Sequence, residues 1–389
     1  MNLTTAKNWR TVKLGDIMNI FTGKKDVNQT TADGKFVFFS CSPETFRSVD
    51  YICDDAALII AGNGSYTGTV RFFEGKFDLY QRTYGCTIKD EVKDEYDIKY
   101  IFYQFKKGFE RDYMGGSRGS SIPYIVRGDI ENYEMRFPES LDEQREIAGV
   151  LGCLDDKIEL LRKENKTLES IAQTLFKEWF VDFRFPNATG QMVDSELGEI
   201  PEGWRVGKLG EVGEIVCGKT PSKLAPEYFG GDVPFIKIPD MHNQMFIFTT
   251  EDSLTGVGAN SQNNKYIPEG SLCVSCIATV GLVSITTQDS QTNQQINSIV
   301  PSSKNTLEYL YFVLNSKRED LQMIGGGSAT LNVNTGVFSR LEIILPGERI
   351  LGLFHEATSP IFQKIKTNSK EIQTLSKLRD DLLNKIFLI

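Results

Sequence analysis

Histidine is almost missing from this chain: 389 residues hold two, His242 and His355, neither beside a second candidate ligand. Zinc sites and Ser-His-Asp triads need imidazoles placed next to other catalytic groups, so neither chemistry is expected. Cysteine is sparse and unorganised. The seven (41, 53, 86, 153, 217, 273, 276) are an odd number without framework spacing, which suits a reducing cytoplasm. CVSC (273–276) is a lone CxxC inside a strand-like run, and core packing explains it better than metal or redox chemistry. No run of eighteen apolar residues occurs, so no membrane span is expected. The opening MNLTTAKNWR has no apolar signal core, so export is not expected. There is no GxxxxGK[ST] loop, and AGNGSYTG (61–68) lacks the lysine and the βαβ context of a phosphate cradle. There is also no Asp/Asn-Pro-Pro-aromatic tetrad of the amino-methyltransferase kind. DEYDIK (94–99), as a nuclease motif, has little weight among 52 acidic residues. Catalytic residues, metal ligands and a cofactor of the chain's own are therefore not expected.

What the chain does contain is a long repeat. WRTVKLGDI (9–17) returns as WRVGKLGEV (204–212), starting 195 residues later. Further landmarks follow in the same order: FTGKK (21–25) and VCGKT (216–220), then ALIIAGNGSYTG (57–68) and SLCVSCIATVG (271–281). YQRTYGCTI (80–88) matches TNQQINSI (292–299) loosely. Aromatic helical stretches begin at Tyr100 and Tyr309, and glycine-rich loops at Gly115 and Gly325. Each copy closes on a short strand ending in proline, YEMRFP (133–138) and LEIILP (341–346). The period far exceeds that of solenoid repeats, so a duplicated domain is expected.

Each copy precedes a long helical pattern. SLDE (140–143) is a capping box. After it a heptad seam runs through Ile147, Leu151, Leu154, Ile158, Leu161, Asn165, Leu168, Ala172, Leu175 and Trp179, about 50 Å at 1.5 Å per residue. A second seam, Ile361, Ile365, Asn368, Ile372, Leu375, Arg379, Leu382 and Ile386, supplies a partner. Ser359 and Pro360 read as its N-cap and first turn, with a bend for any helix entering from Glu348. Each seam holds one asparagine. Antiparallel pairing of Asn165 with Asn368 would fix the helix register, with two independent surface asparagines as the alternative.

The order of unit, long helix, unit, long helix resembles the specificity subunit of type I restriction–modification systems over essentially the whole chain. The resemblance rests on the WRTVKLGDI repeat, on Pro138 followed by LDEQREI (141–147), on DDKI (155–158), and on NKTLE (165–169) leading to LFKEWFVDF (175–183). ELGEIPEGW (196–204) and SKLRDDLLNKI (376–386) complete it. It implies an α+β fold with two similar globular α/β target-recognition domains separated by two long antiparallel coiled-coil helices. The expected bounds are 1–140, 141–186 for the central helix and start of the linker, 187–346, and 347–389. It also implies a non-catalytic subunit in which each domain reads one half of a gapped double-stranded DNA site. The helices would set the spacing and dock two modification subunits. S-adenosylmethionine, Mg and ATP would belong to the modification and restriction subunits, in a cytoplasmic complex without membrane contact. A standalone nuclease or methylase with a divergent site and a coiled-coil interaction scaffold are the alternatives.

Base reading needs donors and acceptors on exposed loops. The first copy offers Lys24, Lys25, Asn63, Ser65, Tyr66, Arg82, Arg118, Ser120 and Ser121. The second offers Lys219, Thr220, Thr279, Asn293, Gln294, Ser328, Thr330 and Asn332. Arg118 stands out, because a guanidinium fork fits guanine O6 and N7, while Lys24 and Lys25 suit phosphate. The net charge of −9 opposes DNA binding, but it is uneven: −1 over 1–140, −6 over 141–200, −4 over 201–346 and +2 over 347–389. Local basic loops or partner surfaces must then meet the phosphates.

Overall fold

The computed structural model describes residues 9–114, 122–325 and 332–387. The fold is α+β. Two compact units divide the chain, one formed by Met1–Leu160 with Gln373–Ile389 and the other by Leu161–Ile372. Each unit therefore takes part of the helix Leu141–Phe176 and part of the helix Glu348–Ile386.

In the first unit a six-stranded sheet has the order Met18–Thr22, Thr83–Ile88, Cys53–Ala61, Val70–Leu79, Phe36–Phe39, Thr45–Ser48. Its central strand ends in a continuous apolar run, ALIIA, buried on both faces. The helix Ile98–Tyr113 starts where the Asp97 carboxylate accepts the Tyr100 amide at 2.8 Å. In the second unit a five-stranded sheet (Gly213–Cys217, Ile296–Pro301, Leu272–Ser275, Val283–Thr286, Phe246–Ile247) stands with a three-stranded one (Asp252–Leu254, Phe229–Ile236, Gln291–Thr292). Cys273 and Cys276 are buried there, and burial pushes their thiols up to about 12 and about 11.

The repeated opening phrase is a clasp. Trp9–Lys13 pairs antiparallel with Glu134–Pro138, Trp9 opposite Pro138 and Lys13 opposite Glu134. Arg205–Lys208 pairs in the same way with Glu342–Leu345. In both copies the leucine of KLG is fully buried, and its amide bonds the chain just before the closing strand: Leu14 to the Tyr133 carbonyl and Leu209 to that of Leu341, each 2.9 Å. The following glycine is held by close approach. A Cβ on Gly15 would lie 3.0 Å from Glu131 atoms, and one on Gly210 2.4 Å from the Ser339 hydroxyl. A tyrosine locks each clasp: Tyr100 donates to the Arg136 carbonyl at 2.9 Å and Tyr309 to that of Ile344, each two residues before the terminal proline.

The central helix opens with the Ser140 hydroxyl accepting the Glu143 amide at 3.4 Å. Gln144, fully buried, then ties the helix to the first unit. It donates to the carbonyls of Pro138 and Glu95, both 3.1 Å, and accepts the Asp97 amide at 3.0 Å. Replacing Gln144 by leucine leaves these three backbone groups without a partner and is expected to destabilise the unit by about 3 kcal/mol, seen in thermal melting. A loss within about 0.5 kcal/mol, the usual range for a surface change, would show the amide to be dispensable.

The helices run antiparallel, and every seam position is at least partly buried. Asp155 accepts from Tyr103 at 2.9 Å and from Arg379 at 2.7 Å, so the one charged seam residue is paired. In the second unit Asn368, fully buried, donates to Asn165 and to Glu164, each at 2.9 Å, and Asn165 donates to Ser369 at 3.1 Å. Ser359 is not an N-cap, contrary to the sequence expectation. The helix runs unbroken from Glu348 to Ile386 with Pro360 inside it. Pro360 is exposed, so water can reach the helix face where its missing amide leaves a carbonyl unpaired. At the far end of the central helix a π-helical turn, Lys177–Val181, carries Phe180 to within 4.7 Å of the Tyr309 ring and 4.9 Å of the Phe354 ring.

The C-terminal helix also meets a buried carboxyl. His355 Nδ1 lies 2.8 Å from the Glu308 carboxylate, whose residue is 2% exposed. Burial pushes the Glu308 carboxyl above its ordinary range, and the bond to His355 opposes this only in part. A raised folded-state value means stability that is full below the ordinary value of 4.5 and lost as pH rises through the folded one. Glu308→Gln, which cannot ionise, is therefore expected to gain melting temperature over the wild type as pH is raised from 4.5 toward neutrality. A gap that narrows with rising pH would contradict this.

Candidate nucleic-acid interface

Five segments of the first unit are brought together around the Tyr80–Arg82 turn by backbone bonds. Gln81 donates to the Lys25 carbonyl (3.0 Å), Tyr80 to that of Phe39 (2.9 Å), Gly62 to that of Arg82 (3.0 Å) and Gly64 to that of Pro123 (3.1 Å). Gly23 makes the first of these approaches possible, since a Cβ there would lie 1.8 Å from the Leu79 carbonyl oxygen. The 62–68 turn uses positive φ at Gly64 (84°) and Gly68 (87°), which glycine adopts without strain. Thr67 closes it by donating to Gly64 (2.7 Å) and Pro123 (3.0 Å). Lys24, Ser65, Tyr66 and Arg82 are exposed on these segments, and Asn63 is half-buried, bridged through its backbone to Tyr124.

Lys25 differs from the expectation of a phosphate contact. Its ammonium lies 2.8 Å from Asp78 and 3.4 Å from Asp50, and it donates to Ser48 at 3.0 Å. Burial pulls its pKa down, but these carboxylates outweigh it and raise the value overall. Lys25 is thus an internal cation that braces the turn. Arg71, which the sequence reading missed, braces the next one: it donates to the carbonyls of Ser40 (2.6 Å) and Pro43 (3.3 Å) and lies over the Phe39 ring. Burial lowers its pKa. It sits in an alternating strand with nothing to mark it, because its acceptors lie about thirty residues away.

The second unit gathers corresponding segments. Lys219 donates its amide to the Thr292 carbonyl at 2.9 Å, and Thr220 donates its hydroxyl to Gln294 at 2.7 Å, so these two turns are cross-linked. Gly218 matches Gly23: a Cβ there would lie 2.1 Å from the Asn293 carbonyl oxygen. Lys219 and Gln294 are exposed and Thr220 is half-buried. Asn293 is instead buried, its side chain bonded to the Gln295 side chain (2.9 Å) and amide (3.0 Å), so it shapes the turn and is not free to read a base. Half-buried Thr279 follows Ala278, which holds φ 62°, and exposed Asn332 is bridged to Ile277. Arg118, Ser120, Ser121, Ser328 and Thr330 lie outside the described residues.

Among the described residues no group of His, Cys, Asp and Glu could hold a metal ion, and no helix is long and apolar enough to cross a membrane. The edges present hydroxyls, amides and isolated cations, which suits hydrogen bonding to base edges and phosphates.

The family model described as the type I restriction modification DNA specificity domain matches twice, over residues 6–170 and 201–376, once on each copy of the repeat. The HindI specificity subunit of Haemophilus influenzae is 40% identical over 329 residues, covering 69% of this chain and 72% of that protein. The MjaIX specificity subunit of Methanocaldococcus jannaschii is 28% identical, covering 76% and 69%. In fold, the chain is similar to the type I restriction–modification S subunit of M. genitalium, with a TM-score of 0.67 at 16% identity, over 98% of this chain and 96% of that one.

Proposed function

This chain belongs to the type I restriction modification DNA specificity family, and on that premise we propose which of its surfaces read DNA. It is a DNA-recognition subunit of a restriction–modification complex and not a catalytic one, with two target-recognition domains for the two halves of a bipartite site. The observation that carries this is the double match: the DNA-specificity domain falls once on each copy of the repeat.

The reading edges are the gathered turns. Lys24, Asn63, Ser65, Tyr66 and Arg82 face one half-site, joined by Arg118, Ser120 and Ser121. Lys219, Thr220, Thr279, Gln294 and Asn332 face the other, joined by Ser328 and Thr330. The helices set the spacing of the two readers and dock two modification subunits, which bring S-adenosylmethionine and adenine methylation. Restriction subunits bring ATP- and Mg-dependent translocation and cleavage, and the assembly works in the cytoplasm. Because the chain's net charge is −9, the partners supply much of the phosphate-binding surface.

Arg82→Ala tests the edge. With modification subunits present, base discrimination within one half-site is expected to fall about tenfold while the other half-site keeps its preference. Equal weakening on every sequence would make Arg82 a phosphate contact. Methylation or cleavage by the purified chain alone, with S-adenosylmethionine or magnesium, would favour a standalone enzyme. Lack of DNA retention even with modification subunits would favour a scaffold.

A further inference from the structure

Beneath the Lys219 turn lies a pair of buried amides. Gln262 is 5% exposed and Gln291 fully buried. Gln262 Nε2 donates to the Lys219 carbonyl and to Gln291 Oε1, both at 2.7 Å. Gln291 Nε2 in turn donates to the Ala259 carbonyl at 2.9 Å. The orientation of Gln262 is forced, because two oxygens face its amino group and a flipped amide would set oxygen against oxygen. Its own Oε1 is buried and has no partner among the described residues. A buried acceptor left unpaired is unfavourable by about 1–3 kcal/mol, so packing alone does not account for a glutamine here, where methionine would fill similar space. What the glutamine adds is a pair of donors, one of them aimed at the backbone of the turn carrying Lys219 and Thr220.

We propose that Gln262, backed by Gln291, is a positioning residue for base discrimination in the second half-site: it holds the Lys219–Thr220 backbone against the Gln294 turn and touches no DNA itself. The inference rests on the reading that this edge contacts DNA. Three ties hold Lys219 and Thr220 themselves: Lys219 amide to Thr292, Thr220 hydroxyl to Gln294, and Gln262 to the Lys219 carbonyl. The third comes from a separate segment, next to the short helix Gly256–Asn260. Removing it lets the Lys219 peptide rotate, which blurs the aim of the donors the turn carries without deleting any of them.

The test uses the full chain assembled with modification subunits, scoring methylation of the cognate site against single-base variants in each half. Gln262→Met is expected to reduce discrimination in the second half-site about tenfold and to leave the first within twofold. A uniform fall on all sequences, or unchanged discrimination, would overturn the proposal and leave Gln262 a stability residue only. Gln294→Ala is run in parallel. If it alters second-half preference while Gln262→Met does not, the positioning role fails and the DNA-reading edge stands. If it alters nothing, the edge itself is misassigned and the proposal falls with it. Should the methionine variant not assemble, Gln291→Met, which removes the acceptor backing Gln262 and leaves every side chain of the edge in place, is scored by the same two outcomes.

Discussion

Alanine at Gly218 is expected to abolish reading of the second half-site while the first unit stays folded. The added Cβ would sit 2.1 Å from the Asn293 carbonyl oxygen and 2.2 Å from the Thr292 hydroxyl, far inside contact distance. Both lie on the turn that Thr220 cross-links, so neither side can yield without breaking that bond or the Lys219–Thr292 one. Forced overpacking of this kind costs about 1–3 kcal/mol where the neighbours can move, and more where they are backbone. Site methylation is expected to fall more than tenfold, with the second unit melting earlier. Gly23→Ala is the matched change in the first unit, with 1.8 Å to the Leu79 carbonyl oxygen, and should act on the first half-site alone. Wild-type methylation from Gly218→Ala would mean that the turn is not part of the interface.

The second large effect is expected in the coiled coil, on the reading that the asparagine pair sets register. Asn165→Leu removes the acceptor of one Asn368 bond and leaves a fully buried amide beside leucine, a loss of about 2 kcal/mol. The double variant Asn165→Leu, Asn368→Leu should behave oppositely. Asn368 Oδ1 has no partner among the described residues, so an all-apolar layer removes an unfavourable term and raises the melting temperature. It also removes the feature that penalises slippage. Cysteines at Leu161 and Ile372, in the neighbouring layer, should then cross-link less efficiently in the double variant despite its higher stability. Equal cross-linking in both would show that register is set elsewhere, for instance by the Arg379–Asp155 pair.

Much of the fold was legible because it is periodic or repeated. The two heptad seams follow from residue spacing. The clasp could be found because WRTVKLGDI and YEMRFP recur together, although that they pair with each other needed the strand register. Less was legible where the deciding partner is distant in sequence and carries no pattern. Lys25 reads as a loop cation until Asp78, on another strand, is seen to hold it. Asn293 reads as a loop amide until its bonds to Gln295 show that it faces inward. Pro360 misled for a different reason: proline usually starts or breaks a helix, and here exposure allows it inside one. Gln144 and Gln262 gave no signal, since glutamine in a polar run is ordinarily solvated, and only three-dimensional packing turns its amide into a brace.

The central claim is one chain with two readers. Methylation-site sequencing of DNA from cells carrying this chain with its modification subunits tests it most directly. The account predicts methylated adenines in a single asymmetric motif, two specified segments separated by an unspecified spacer of fixed length, with Gly23→Ala and Gly218→Ala each affecting one segment. A continuous or palindromic motif, or methylation independent of this chain, would contradict it.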